Sequence, residues 1–236
     1  FAKRVLFYDS TALVRDIIMA VRPGNFQQND TLNRYLLFFP RNANALNDVH
    51  SFTGEEALSQ PYRYTIRFTS PNANIPPDAI LNQKAEFLLR APNPEASWHG
   101  QSSWLPVRQI NGTITAFSRV KSSSDEALYE CVLEHELALL NRNFRSAVYT
   151  DVTVPEVVTQ LMKESRYFEG FNIDFDSLRC TYPRREMIIQ WKETDLEFIR
   201  RLLAEVGIWF RLENHSTTPT ETVVIFGDTA SRYIIS

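Results

Sequence analysis

Apolar residues recur at every second position between residues 34 and 136 and at helical spacing before and after, and this change of period constrains the fold more than any other feature. In the clearest stretch Tyr62, Tyr64, Ile66 and Phe68 alternate with Arg63, Thr65, Arg67 and Thr69. That pattern predicts a strand with one face in a core and the other facing water or a polar interface. Similar runs at residues 35–39, 49–53, 85–90, 107–117 and 128–135 imply at least six strands. They are separated by turn-rich segments at 42–48, 71–77, 92–103 and 121–126. Many short strands with this punctuation predict a sandwich or a barrel.

Helical spacing occurs at both ends. Leu13, Val14, Ile17, Ile18 and Val21 follow the potential caps Asp9 and Ser10 and stop at Pro23 and Gly24, which predicts a short amphipathic helix in an N-terminal arm. Further on, Thr153 with Glu156 and Thr194 with Glu197 have the spacing of capping boxes. The first precedes Val157, Val158, Leu161 and Met162. The second precedes Phe198, Ile199, Leu202, Leu203 and Val206, and Gly207 suits the C-terminal cap. Strands are expected at 187–191, 208–212 and 222–226, so this half reads as α+β.

With 236 residues, 44% of them hydrophobic, the chain is long enough for one large core or two small ones. A net charge of -3 supplies no basic field, so nucleic acid is not an expected partner. Only seven glycines occur, none in a phosphate-cradling pattern, which removes dinucleotide and P-loop chemistry. No apolar run reaches the ~18 residues of a membrane span, so no integral membrane segment is expected. The chain begins at Phe1 without a charged-then-apolar leader, and we read it as trimmed at the front and carrying no signal peptide. Cys131 and Cys180 stand alone, and each is expected to be a buried thiol.

Possible catalytic groupings fail one after another. Glu134, His135 and Glu136 begin like a zinc-binding helix, but Leu139 stands where the second histidine belongs, so His135 reads as a surface strand histidine. Asn172, Asp174 and Asp176 alternate like the start of a calcium loop, yet Ser177 and Pro183 replace the glycine and the bidentate glutamate, leaving solvated acids. The segment from Gly100 to Trp104 lacks the second glycine of a nucleophile elbow. Glu197 is accounted for by its capping box. Neither a catalytic set, nor a cofactor fingerprint, nor a metal set emerges. Trp98 and Trp104, placed in a loop by this reading, suit protein contacts, with packing inside their own barrel as the alternative.

Several strings are similar to one family. Residues 49–62 (VHSFTGEEALSQPY) resemble the opening signature of VgrG, the valine-glycine repeat protein G of the type VI secretion spike. Residues 80–85 (ILNQKA), 110–117 (INGTITAF), 143–145 (NFR), 153–158 (TVPEVV), 191–198 (WKETDLEF) and 202–210 (LLAEVGIWF) resemble later segments in order and spacing. The resemblance covers roughly residues 45–228. The N-terminal arm lies outside it, and residues 146–149 depart from its usual pattern.

The resemblance implies a fold that is mainly β with an α+β part. An N-terminal helical arm (1–30) precedes a phage tail hub-like, tube-like β-barrel (31–140), and an α+β hub segment (141–236) continues into a missing C-terminal part. Gly54, Leu58, Tyr62, Gly112, Arg145, Pro155, Asp195, Phe198 and Gly207 would be structural motif residues, with Gly54 expected at φ > 0. Trp98, Trp104, Arg63 and Arg67 are the candidate interface. The implied role is a non-enzymatic hub and adaptor, joining a hexameric tube to a trimeric needle and carrying effectors. It needs no cofactor. Its implied partners are copies of itself in a homotrimer, the haemolysin-coregulated tube protein, baseplate proteins and effectors. Assembly would occur in the bacterial cytoplasm, followed by secretion or injection. The alternatives are a contractile phage-like baseplate hub and, in a different class, a cell-wall-degrading enzyme.

Overall fold

The computed structural model describes residues 34–40, 47–94, 104–165, 167–168, 172–216, 218 and 220–229. The arm at 1–30, with its expected helix, and Trp98 lie outside the described residues. Contacts divide the chain into two compact units. One consists of Phe1–Glu55, Tyr62–Glu134 and Ser216–Thr220, and the other of Glu56–Pro61, His135–His215 and Glu221–Ser236.

The first unit is a closed barrel. Its strands are β1 (Tyr35–Phe38), β2 (Asp48–Glu55), β3 (Arg63–Ser70), β4 (Lys84–Pro92), β5 (Trp104–Ser122) and β6 (Ala127–Glu134), joined in the order β1-β2-β3-β6-β5-β4. Every pairing in it is antiparallel. The period-two pattern of β3 does what it predicts: Tyr64, Ile66 and Phe68 are buried while Arg63 and Arg67 face outward. Closure depends on β5, whose first half pairs with β4 and whose second half pairs with β6. Its ladders slip between Ile114 and Ala116 and between Arg119 and Lys121, irregularities of the kind that bend a strand around a barrel. Aromatic rings fill the interior, with Phe68, Phe117 and Tyr129 stacked at centroid distances of 5.3–6.4 Å.

The second unit is α+β. Its elements are β7 (Phe144–Val152), α1 (Val154–Glu164), β8 (Ile173–Ser177), β9 (Arg185–Thr194), α2 (Asp195–Glu205), β10 (Trp209–Asn214) and β11 (Thr222–Gly227). A 3-10 helix, Glu136–Arg142, precedes β7. Strands β7 and β9 form a two-stranded antiparallel sheet, and β10, β11 and β8 form another in which β8 runs parallel to β11. Both expected capping boxes are complete, since each threonine accepts from the N3 amide and each glutamate accepts from the N-cap amide. Gly207 follows α2 at φ +73°, the left-handed conformation that favours glycine at this cap. The core joins Val157, Val158 and Leu161 of α1 to Phe198, Ile199 and Leu202 of α2, with Phe210 and Phe226 between the strands.

Four local expectations are corrected. His135 is fully buried rather than at the surface. Cys180 is exposed, and only Cys131 is a buried thiol. Trp104 opens β5 opposite Pro92 instead of lying in a loop. Gly54 is not at positive φ: it sits within β2 opposite Tyr64, and a Cβ there would overlap that ring.

Candidate functional site

The fold pairs the recognised segments with one another. In the barrel, the 80–85 segment lies along the 110–117 segment, with Lys84 opposite Thr113 and Ala85 opposite Gly112. Asn82, at φ 60°, donates its amide to the Ile114 carbonyl at 2.8 Å, and the Ile114 amide returns to Gln83 at 3.0 Å. Gly112 is required by close approach, because a Cβ would press on the Glu134 backbone of β6. Tyr62 donates its hydroxyl to the Asn111 carbonyl.

In the second unit the 143–145 and 191–198 segments meet on a buried carboxylate. Asp195 opens α2 and is 1% exposed. Its side chain accepts from Arg145 Nε at 2.8 Å, Gln190 Nε2 at 2.9 Å and Asn143 Nδ2 at 3.2 Å, and its own amide donates to the Asn143 carbonyl at 3.0 Å. A helix N-terminus is a favourable place for negative charge, and three donors replace the lost water. Arg145 is half-exposed and also reaches Glu164 at 3.2 Å. Burial acts to lower the Arg145 pKa, but the paired carboxylate of Asp195 outweighs it and holds the guanidinium above its usual value. The arrangement locks β7, β9 and α2 together. Gln190 is the partner that sequence reasoning missed, because a glutamine in the middle of a strand carries no signal of what it will face.

The other motif residues serve local packing. Pro155 stands in the first turn of α1, where its missing amide hydrogen costs nothing. Phe198 is buried against Tyr149, ring centroids 5.7 Å apart, with the Arg201 guanidinium 5.2 Å from its ring centre. Leu58 remains exposed on the Glu56–Pro61 segment, where Ser59 exchanges hydrogen bonds with the Phe210 backbone. Leu58, Ser59, Arg200, Arg201 and Ile208 line an open groove of about 410 Å³.

Several titratable groups are held by burial or by hydrogen bonds. His135 Nδ1 accepts from the Leu137 amide at 3.1 Å, which caps the 3-10 helix, and burial lowers its pKa to about 3. Burial raises the Cys131 thiol to about 12. Asp228 accepts from the amides of Cys180 and Arg179 and from the Tyr182 hydroxyl, bonds that hold its pKa at about 2. Among the described residues, no three His, Cys, Asp or Glu side chains are grouped to hold a metal ion. No helix among them is long and apolar enough to cross a membrane.

Two of the candidate interface residues carry a neutralised face. Arg67 pairs with Glu130 at 2.7 Å and Arg63 with Glu134 at 3.3 Å, across the β3–β6 ladder. Opposite charges directly facing across antiparallel strands strengthen the pairing. Trp104 is half-buried, with Arg90 5.9 Å from its ring centre.

Comparison with known proteins now bears on this geometry. The model of the phage tail baseplate hub (GPD) family matches residues 55–234. The chain belongs to this family. It is 31% identical over 185 residues to the type VI secretion system spike protein VgrG5 of Pseudomonas aeruginosa, a match covering 76% of the chain and 20% of that protein. The actin cross-linking toxin VgrG1 of Vibrio cholerae is 27% identical over 169 residues, covering 68% of the chain and 14% of the toxin. Among solved structures, the Escherichia coli c3393 protein is a component of the type VI secretion system and is structurally similar to the bacteriophage T4 tail proteins gp27 and gp5. It matches with TM-score 0.73 and 37% identity, over 84% of this chain and 50% of that one. This hub-family chain is thus a VgrG homologue with a phage tail hub-like fold, and it spans about a fifth of the length of the VgrG5 protein it matches.

Proposed function

We propose that this chain is the hub part of a type VI secretion spike, a structural adaptor that joins a hexameric tube to a trimeric needle. In this reading several copies stand in a ring, the barrel contributes to the ring wall, and the parent protein carries effectors. Partners are the haemolysin-coregulated tube protein and baseplate proteins, met in the cytoplasm before delivery out of the cell. The reading is carried by the closed six-stranded barrel, built from the VgrG-like segments and overlaid with the c3393 fold at TM-score 0.73. The buried side chains support it too, since Asp195, His135 and Cys131 are each committed to packing or to hydrogen bonds within the fold.

The test is genetic. Deleting the coding region for residues 34–229 from the parent gene is expected to abolish release of the tube protein into the medium, and reintroducing the wild-type gene to restore it. Unchanged release would overturn the reading. Release of peptidoglycan fragments by the purified chain would instead favour the enzyme alternative.

A further inference from the structure

We infer that the free edge of β7 takes a further β-strand, and that this strand comes from the part of the parent protein that follows these 236 residues. Such a strand completes the sheet and does not depend on the tube-joining role proposed above. Among the described residues β7 (Phe144–Val152) pairs with β9 alone. The far edge of β9 is provided for by α2, where Arg201 donates to the Ile189 carbonyl at 3.0 Å and Glu205 pairs with Arg185 at 2.8 Å. With that carbonyl turned to Arg201, the facing residues Val148 and Ile189 form the kind of pair that exchanges no ladder hydrogen bonds. The N–H and C=O of Val148 then point away from β9, into the open edge, and two residues on those of Thr150 do the same.

Proteins protect such an edge with lysine, proline, short length or inward-turned charge. β7 has nine residues and neither lysine nor proline. Its one arginine, Arg145, is held by Asp195, and its one acid, Asp151, lies near its end beside Arg184. The edge also borders an apolar face. Phe144, Val148, Met187, Ile189 and Trp191 are each between 43 and 67% exposed, while Tyr149 and Ile188 pack into the core. Lys192, with its ammonium 5.4 Å from the Trp191 ring centre, adds a basic residue at the margin. A strand added to β7 satisfies the open backbone groups and lays its alternate side chains beside Phe144 and Val148, continuing the apolar row. The occupant is thus an extended segment of period two with uncharged, apolar side chains on one face. An edge left open in every molecule would pair with any exposed strand it met, so its cover has to be present in every molecule. A segment of the same polypeptide meets this condition, because it acts at an effective concentration on the order of millimolar. The homologues have the length for it, since the match takes in 50% of the c3393 chain and 20% of VgrG5.

Hydrogen exchange read by mass spectrometry, on the full-length parent and on the 236-residue chain, tests the edge. The β7 amides are expected to exchange roughly a hundredfold more slowly in the parent. Val148→Lys puts a charge on a side chain already 60% exposed, so circular dichroism of the 236-residue chain is expected to stay as in the wild type. In the parent the same change is expected to remove most of the extra protection, as an edge lysine blocks strand addition. Thr150→Lys gives a second route should Val148→Lys not fold. The source of the strand is read by a photoreactive benzoylphenylalanine in place of Thr150, in parent refolded from equal amounts of light- and heavy-nitrogen chains. Cross-links are expected within single chains, to residues that follow Ser236. Equal exchange of β7 in the two wild-type proteins would overturn the inference, as would protection already complete in the 236-residue chain. Cross-links joining light to heavy chains would give the edge to a neighbouring copy and overturn it as well. None of these outcomes bears on tube joining, which the release assay decides separately.

Discussion

At the scale of single residues, stability is concentrated where polar groups are enclosed. Asp195 holds Arg145, Gln190 and Asn143 at once, so Asp195→Ala strands two buried or half-buried donors and frees the first turn of α2. We expect a loss of about 3 kcal/mol or more in urea unfolding of the second unit. Asp195→Asn, which keeps the shape and one acceptor, should cost less. His135 gives a pH signature. Its ordinary pKa is 6.5, and in the folded chain it is about 3. Between these values the unfolded state binds the extra proton, so this contribution to stability is full above pH 6.5 and is lost as the pH falls. Going from pH 7 to pH 5 should lower stability by on the order of 2 kcal/mol through this group alone. Chemical denaturation of the wild type and His135→Gln at both pH values measures it, since the glutamine carbonyl can still accept from Leu137 without titrating. Equal pH dependence in the two proteins would refute the assignment. The sequence placed His135 at the end of a strand, which holds, because β6 stops at Glu134. It gave no account of the residue's burial, because Phe168, whose ring stacks 6.2 Å away, is 33 positions downstream.

At the scale of elements, strands and helices follow their local codes while the ladders between them do not. Strand β3 and the capped helices α1 and α2 form where alternation and capping boxes place them. Strand β7 was not legible, because Phe144, Ser146, Val148 and Thr150 face outward without alternating cleanly between apolar and polar. Its existence depends on β9, to which it is paired with a register shift between Arg145 and Ala147. Barrel closure has a similar dependence at Gly112, the point where β5 passes the end of β6. Gly112→Ala places a methyl group against the Glu134 backbone, which cannot move without disturbing the β3–β6 ladder. A loss of about 2 kcal/mol or more is expected in thermal or urea unfolding of the barrel. An Ala variant as stable as the wild type would show that the strands have room to separate there.

At the scale of the whole molecule, the hub reading predicts threefold association of the parent protein. Native mass measurement of the full-length parent should return three chains, and a monomer at micromolar concentration would count against the reading. The sequence by itself determined the architecture class and the family. Hydrophobic period, turn residues and caps are local properties, and the VgrG-like strings are a linear record of them. Only the tertiary structure decided that Arg145 and Asp195 would meet across 50 residues, that the Gly54 position is held by the Tyr64 ring rather than by its own dihedral angle, and that Cys180 faces outward. It also decided that Phe144, Val148 and Trp191 are left exposed while similar side chains are enclosed. Burial is set by which strand lands opposite which, and that choice depends on contacts distant in sequence, which no local pattern of residues encodes.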